Sequence, residues 1–423
     1  MKLLRYVCTQ TAALYYAWQV EILIHNFIKN GVNPNNIDIV CGITNGIVPN
    51  EWQRLAQTYN YVRFFFYNDT RTDFTYSVTI KPHILKKHFE EHPYLTDDAI
   101  FHCDPDIVFT KPVKWDQFVN DDVWYCSDTV SYIGSEYIKK KGYGIYEKMC
   151  ELVGIDEEIP VQREDDSGGA QFIMKNVTAE YWDKVEEDCN KLYSFFLEDL
   201  EVHPETDDYE PIQKWTAEMW AILWNAWYFG HETKVVPEMD FAWSTDAPDK
   251  WEIRDIYHNA GVMEDQTDTY FYKGDYTNKV PFGEVTGSVN DDYCSALYVK
   301  ELMEVAPTSC LVSGPREYLY TKQDIADMEN AERLFAEDEK KEFPSRFQMA
   351  RNLAKDLWNV AKAKKKKLPI IVPSEVAQER YEICQECEHI TSEDQCSKCG
   401  CYMTAKVNFA PIGCPIKMWS VYE

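Results

Sequence analysis

The chain has 423 residues, enough for two or three domains with a sizeable core, and 45% of it is hydrophobic. Its formal net charge of −28 repels nucleic-acid phosphates and excludes unaided, non-specific binding to DNA or RNA. No run of about twenty apolar residues is present, which excludes a membrane-spanning helix.

The first third alternates strand and helix. Residues 1–7 are too short and soon too polar for a signal peptide, so 3–8 read as the first strand. Residues 12–30 carry Leu14, Trp18, Ile22, Ile24 and Phe27 at helical spacing, with Asn30-Gly31 as a C-cap. Strands follow at 37–41 and 62–67, helices at 50–59 and 76–92, the last stopped by Pro93. Residues 99–108 then read as one strand that carries Asp104-Pro105-Asp106. This order predicts an α/β fold with a largely parallel, Rossmann-like sheet and right-handed crossovers. Ligands of such sheets gather at the carboxyl ends of the strands, where the Asp pair falls.

Further along, 121–133 and 168–174 read as strands, the second led by Gly168-Gly169. Residues 178–198 and 215–228 read as helices, the latter with four tryptophans, and 234–237 as a strand. Residues 255–259 form a short segment that reaches His258. Beyond about 286 the composition changes, and 317–367 are charged and helix-prone. Lys362 and Lys364 to Lys367 form the one strong basic run. Pro369 and Pro373 break this arm, and Ser374 is placed to N-cap the next helix. The expected domains are 1–285, a helical linker over 286–373 and a cysteine module over 374–423.

Asp104 and Asp106 can place two oxygens on one hard divalent cation, Mg²⁺ or Mn²⁺, of the kind that substrate phosphates complete. Asp-x-Asp is common by chance, so its weight comes from its place after a buried-type strand. His258 can add a nitrogen from a loop late in the domain. Gly169 allows close approach of a ligand or backbone, and Gln171 can hydrogen-bond there. Glu218 is a carboxylate within an apolar helix. It must be paired, solvated in a cleft or protonated, and in a cleft it can deprotonate a hydroxyl.

Of the fourteen cysteines, eight are scattered singly, as suits a reducing compartment, and six crowd into 384–414. Cys384-x2-Cys387 and Cys396-x2-Cys399 have the spacing of a structural zinc site, with Cys401 and Cys414 either spare or displacing one of the four.

Asp104-Pro105-Asp106, Gly168 to Gln171, Glu218-Met219-Trp220 and His258 together resemble a GT-A-type glycosyltransferase. Within that group the chain is similar to the hydroxyproline O-arabinosyltransferases and peptidyl-serine galactosyltransferases, over about residues 1–275. The resemblance implies a hexosyl- or pentosyltransferase with a nucleotide-sugar donor, UDP-linked, whose diphosphate is held by Mn²⁺ or Mg²⁺ on Asp104, Asp106 and His258. Glu218 matches the acceptor-side carboxylate. The base and ribose would lie near Thr9 and Asp69, and Lys81 would contact the diphosphate. The acceptor is a hydroxyl on a protein, a glycan or a modified DNA base. The cysteine module resembles zinc-ribbon tails of tailed-phage proteins. It implies a cytoplasmic setting, that of the host if phage-encoded, and a protein partner. Two other readings are a phage DNA-base glycosyltransferase, which the charge disfavours, and a non-catalytic virion or assembly protein on a degenerate sugar-binding fold.

Overall fold

The structure is a computed structural model. It describes residues 2–202, 205–206, 209–283, 289–312, 346–366, 368–391 and 395–422. The chain divides into two compact units, Met1–Arg316 and Glu317–Glu423. Among the described residues no helix is long and apolar enough to cross a membrane.

The strands of the first unit are β1 (Leu4–Thr11), β2 (Ile37–Ile43), β3 (Arg63–Asn68), β4 (Ala99–Cys103), β5 (Ile107–Phe109), β6 (Trp124–Asp128), β7 (Gly168–Lys175), β8 (Thr233–Val235), β9 (Phe241–Trp243) and β10 (Ile256–His258). Seven of them form one sheet in the order β3-β2-β1-β4-β7-β6-β8. Neighbours are parallel except at β4–β7 and β6–β7, so the expected α/β class with a mostly parallel central sheet is what the chain adopts. β2 and β4 are buried at every position, as strands covered on both faces must be.

Three helices join the first four strands: α1 (Leu14–Lys29), α2 (Asn50–Thr58) and α3 (Ile80–Glu91). The five apolar residues picked out on α1 are all buried. Its end is a Schellman motif: Gly31 sits at φ +90°, Gly31 N donates to Ile28 O and Val32 N to Phe27 O. Helix Cys294–Val305 packs on α1, where Lys29 pairs with Glu301 and Glu304. The chain after it returns to α1, and Ser309 Oγ and Cys310 N both donate to the buried Glu21.

The expected single strand 99–108 is two strands in two sheets. Pro105 has no N–H to give a ladder and holds φ near −65°, so pairing stops there. β4 stays in the large sheet. β5 joins a small sheet of order β5-β10-β9, antiparallel to β10, with His258 opposite Ile107. The Asp pair therefore straddles the junction of two sheets, and one of its flanks is paired to the strand that carries His258.

The strand expected over 121–133 ends at Asp128, because Val130–Ile133 turns into a short helix. The two longer helices run Ala179–Val202 and Ala217–Tyr228. With α3 they cover one face of the sheet around Trp182, Leu192, Phe196, Trp220 and Trp224. Trp215 precedes the second helix and is 61% exposed.

In the second unit, Arg346–Lys365 is helical, as expected of the arm. Residues 313–345 lie outside the described residues, as does Lys367. Ser374 is the first helical residue of Ser374–Gln385 rather than its N-cap. Pro373, extended at φ −55° and ψ 151°, holds the cap position instead. Cys384, Cys396, Cys399, Met403, Val407 and Trp419 form the unit's small core.

Candidate functional site

Asp104 follows the last residue of β4 and Asp106 precedes the first of β5. His258 ends β10, and Asn259 N donates to Asp106 O at 2.9 Å. Backbone pairing thus brings His258 Nε2 to 3.3 Å from Asp106 Oδ1. Asp104, Asp106 and His258 each offer a ligand atom within 4.8 Å of the others. Asp106 and His258 are buried and Asp104 is half-buried. Two carboxylate oxygens and an imidazole nitrogen are a donor set that fits a hard divalent cation such as Mn²⁺ or Mg²⁺.

Two lysines lie against these carboxylates. Lys81, near the start of α3, reaches Asp104 Oδ1 at 2.7 Å and Glu218 Oε2 at 2.8 Å. Lys273 is paired with Asp106. Burial opposes ionisation of both aspartates, but Lys273 and His258 at Asp106, and Lys81 at Asp104, outweigh it and hold both carboxyls below the usual range. Glu218 is different. Burial dominates over Lys81, and its pKa is pushed up to about 7.

These groups face one cavity of about 460 Å³. Thr9, Lys81, Asp104, Asp106, Glu218 and His258 all line it, so five sequence-predicted positions and one diphosphate candidate are brought together. Three expected positions are not among its lining. Asp69 turns to Arg71, at 2.8 Å, and Arg71 in turn holds Ser77 O and Thr79 Oγ1. Gly169 faces the protein: a Cβ there would lie 2.8 Å from Met219 Cε and 3.1 Å from Thr129 Oγ1. Gln171 is fully buried behind His258, with its Nε2 3.3 Å from Nδ1 and its Oε1 2.8 Å from Ser127 Oγ.

A β-bulge explains the last two. The β6–β7 register pairs Ser127 with Gly169 and Cys126 with Phe172, which leaves Ala170 and Gln171 as the extra residues. The positive φ falls on Ala170, at 61°, and not on either glycine. A left-handed alanine costs about 1 kcal/mol, and here it turns Ala170 to the cavity while Gln171 points to His258. The glycines are required for close packing: a Cβ on Gly168 would overlap Cys126 Sγ at 2.2 Å.

Sequence reasoning missed Lys273, Tyr15, Tyr16 and Trp243, all of which line the cavity. None sits in a motif. Trp243 lies parallel to His258, with ring centroids 6.2 Å apart.

In the second unit Cys384, Cys387, Cys396 and Cys414 line a small apolar cavity beside Trp419, whose Nε1 donates to Cys384 Sγ. Cys399 lies outside that lining, against Cys396 and Cys401. Among the described residues no three thiols bring their sulfurs within 4.8 Å of one another.

No family model matches the chain, and no curated protein matches it in sequence. Among solved structures it is similar, at 11% identity and a TM-score of 0.41, to the WbbM bifunctional glycosyltransferase in its apo form. That match covers 71% of this chain and 50% of the other, so the chain spans about half its length. It is also similar to the galactosyltransferase LgtC in complex with donor and acceptor sugar analogues, at 11% identity and a TM-score of 0.35, over 75% of this chain and 99% of that one. A third is a glycosyltransferase involved in glycosylation of the major capsid of PBCV-1, at 11% identity and a TM-score of 0.31, over 62% and 96%. Likeness at these values assigns neither a family nor an activity.

Proposed function

We propose that this chain is a divalent-metal-dependent glycosyltransferase of GT-A type, moving a sugar from a nucleotide-diphosphate donor to a hydroxyl acceptor. The observation that carries the reading is the convergence of Asp104, Asp106 and His258 within 4.8 Å on the wall of a cavity of about 460 Å³, with two lysines beside them. The resemblance of the chain's motifs to those of the hydroxyproline O-arabinosyltransferase and peptidyl-serine galactosyltransferase group supports a UDP-linked donor.

In this reading the anomeric C–O bond to the diphosphate breaks and its electron pair leaves on the diphosphate. The new bond forms from the acceptor oxygen. When bound, the cation supplies neutralisation of the charge that grows on the leaving group. Lys81 and Lys273 are cations at the same wall, and each can exchange its aspartate for a diphosphate oxygen once a second cation shares the carboxylates. Glu218 takes the acceptor's proton. Its pKa of about 7 makes it a base whose strength matches a neutral setting.

For the C-terminal unit we propose a structural zinc ion held by Cys384, Cys387, Cys396 and Cys414. The thiol donor set fits zinc in kind, and closure of the sulfurs to ligand distance would accompany loading. All fourteen cysteines are unpaired, which supports a cytoplasmic setting.

A panel of nucleotide sugars with Mn²⁺ tests the reading. The expected outcome is release of the nucleoside diphosphate from at least one donor, lost on chelation. No release from any donor, together with no binding of UDP or GDP in Mn²⁺, overturns it in favour of a non-catalytic protein.

A further inference from the structure

A second cavity of about 490 Å³ adjoins the one that holds the Asp pair, with Trp243 in the walls of both. Trp243 lines both cavities. So does the short helix Val130–Ile133, which contributes Ser131 to the second and Tyr132 to the first, with the Tyr132 ring 6.4 Å from that of Trp243. The indole ring common to both cavities lies parallel to the His258 imidazole of the proposed cation group.

The lining is amphipathic in a particular way. Phe241 and Trp243 supply ring faces, Asp128, Asp240 and Asp246 supply acceptors, and Lys250 and Arg254 supply donors. Arg254 is paired with Asp240. Asp128 accepts from Val130 N at 3.1 Å, and Asp246 from Trp243 N at 2.9 Å. A carboxylate has two oxygens, so Asp128 and Asp246 each keep a second acceptor. An acidic ligand would meet three carboxylates against two cations. An apolar ligand would strand all five charges. A neutral molecule with many hydroxyls and flat C–H faces satisfies both the charges and the rings, and the volume is that of a small-ligand site.

We infer that this second cavity seats the non-reacting part of the acceptor and that the acceptor is a neutral oligosaccharide, lying on Trp243 with hydroxyls on the Asp128 and Asp246 carboxylates and extending past that ring to present its reacting hydroxyl to Glu218 in the first cavity. The inference rests on the glycosyltransferase reading for its word "acceptor", but binding of the saccharide does not depend on turnover.

The test is saturation-transfer NMR with lactose, maltotriose and chitotriose, beside calorimetry of UDP with Mn²⁺. Wild-type protein should give saturation transfer to at least one of the three. Ser131 is exposed at the rim. Ser131→Trp fills the cavity and should abolish the signal, and Asp128→Asn should weaken saccharide binding about tenfold. UDP affinity should stay within about twofold in both variants, which also shows that they fold. Saccharide binding that survives Ser131→Trp, or none in the wild type, overturns the inference. Transfer only to serine or hydroxyproline peptides or to a hydroxylated nucleobase overturns it as well. Saccharide binding without any UDP binding would retain this site as a saccharide site and sink the donor reading instead.

Discussion

Gln171 Nε2 lies 3.3 Å from His258 Nδ1, and Gln171 Oε1 lies 2.8 Å from Ser127 Oγ. Ser127 has one hydroxyl proton and a second acceptor, Met239 O, at 2.6 Å. When the proton goes to Met239, Ser127 can only accept from Gln171, so the Gln171 amide is turned end for end, with Nε2 donating to Ser127 Oγ and Oε1 receiving Nδ1–H of His258. That order leaves the His258 Nε2 lone pair facing Asp106, as a cation ligand requires. Gln171→Leu should lower Mn²⁺ affinity about tenfold, and Gln171→Glu, which still accepts from Nδ1–H, should keep most of it. Mn²⁺ titration followed by electron paramagnetic resonance decides. Equal affinity in the Leu variant would remove Gln171 from the site.

The Asp pair is the next target. Asp104→Asn and Asp106→Asn should each lower donor turnover about a thousandfold, as should chelation of the wild type. Circular dichroism should show the fold retained. Undiminished turnover in the double variant would end the metal reading.

Glu218 sets a pH dependence with a definite sign. Its carboxyl is ionised only above about pH 7, so turnover should rise through that value and Glu218→Gln should lose this acid limb. Stability runs the other way. A carboxyl with a raised folded pKa stabilises the fold below its ordinary value of 4.5, and that contribution is lost as pH rises through about 7. Relative to Glu218→Gln, the wild type should lose about 3 kcal/mol between those limits. Denaturant titrations of both proteins at several pH values measure it, and parallel curves would show that the carboxyl is not desolvated.

Asn26 on α1 holds β5 in place: its Oδ1 accepts from Phe109 N at 2.8 Å and its Nδ2 donates to Phe109 O at 3.0 Å. Asn26→Ala takes its partner from Phe109 N and leaves Phe109 O to Asn30 Nδ2, at 3.2 Å, and should cost about 2 kcal/mol. Because β5 begins beside Asp106, Mn²⁺ affinity should fall too. A stability loss with unchanged affinity would uncouple the strand from the site.

Elemental analysis of purified protein should find about one zinc per chain. Cys384→Ser and Cys414→Ser should lose it and Cys399→Ser should retain it. Zinc-free wild-type protein would refute the zinc assignment, and the opposite behaviour of Cys399 and Cys414 would restore Cys399 as a ligand.

Legibility differed from element to element. Helix α1 was readable from its apolar spacing and its Asn30-Gly31 end, and strands β1 to β4 from apolar runs bounded by polar segments. The three-residue strands β5, β9 and β10 are too short to show a period, and they build the sheet that carries Asp106 and His258. Gly168-Gly169 marked a place of close approach, and what approaches there is the protein itself. Their lack of a Cβ serves packing on Cys126, Met219 and Thr129, while the strained φ is Ala170's.

The sequence by itself determined the α/β alternation, the position of the Asp pair at a strand's carboxyl end and the candidacy of His258, because periodicity, proline and residue chemistry are local properties. Only the tertiary structure decided that the pair bridges two sheets, that Lys81 and Lys273 neutralise it, that Gln171 stands behind His258, and that Trp243 lines two cavities. Those relations join residues as far as 167 positions apart. They depend on strand register, which is set by the sum of packing across the whole domain and leaves no mark at any one position.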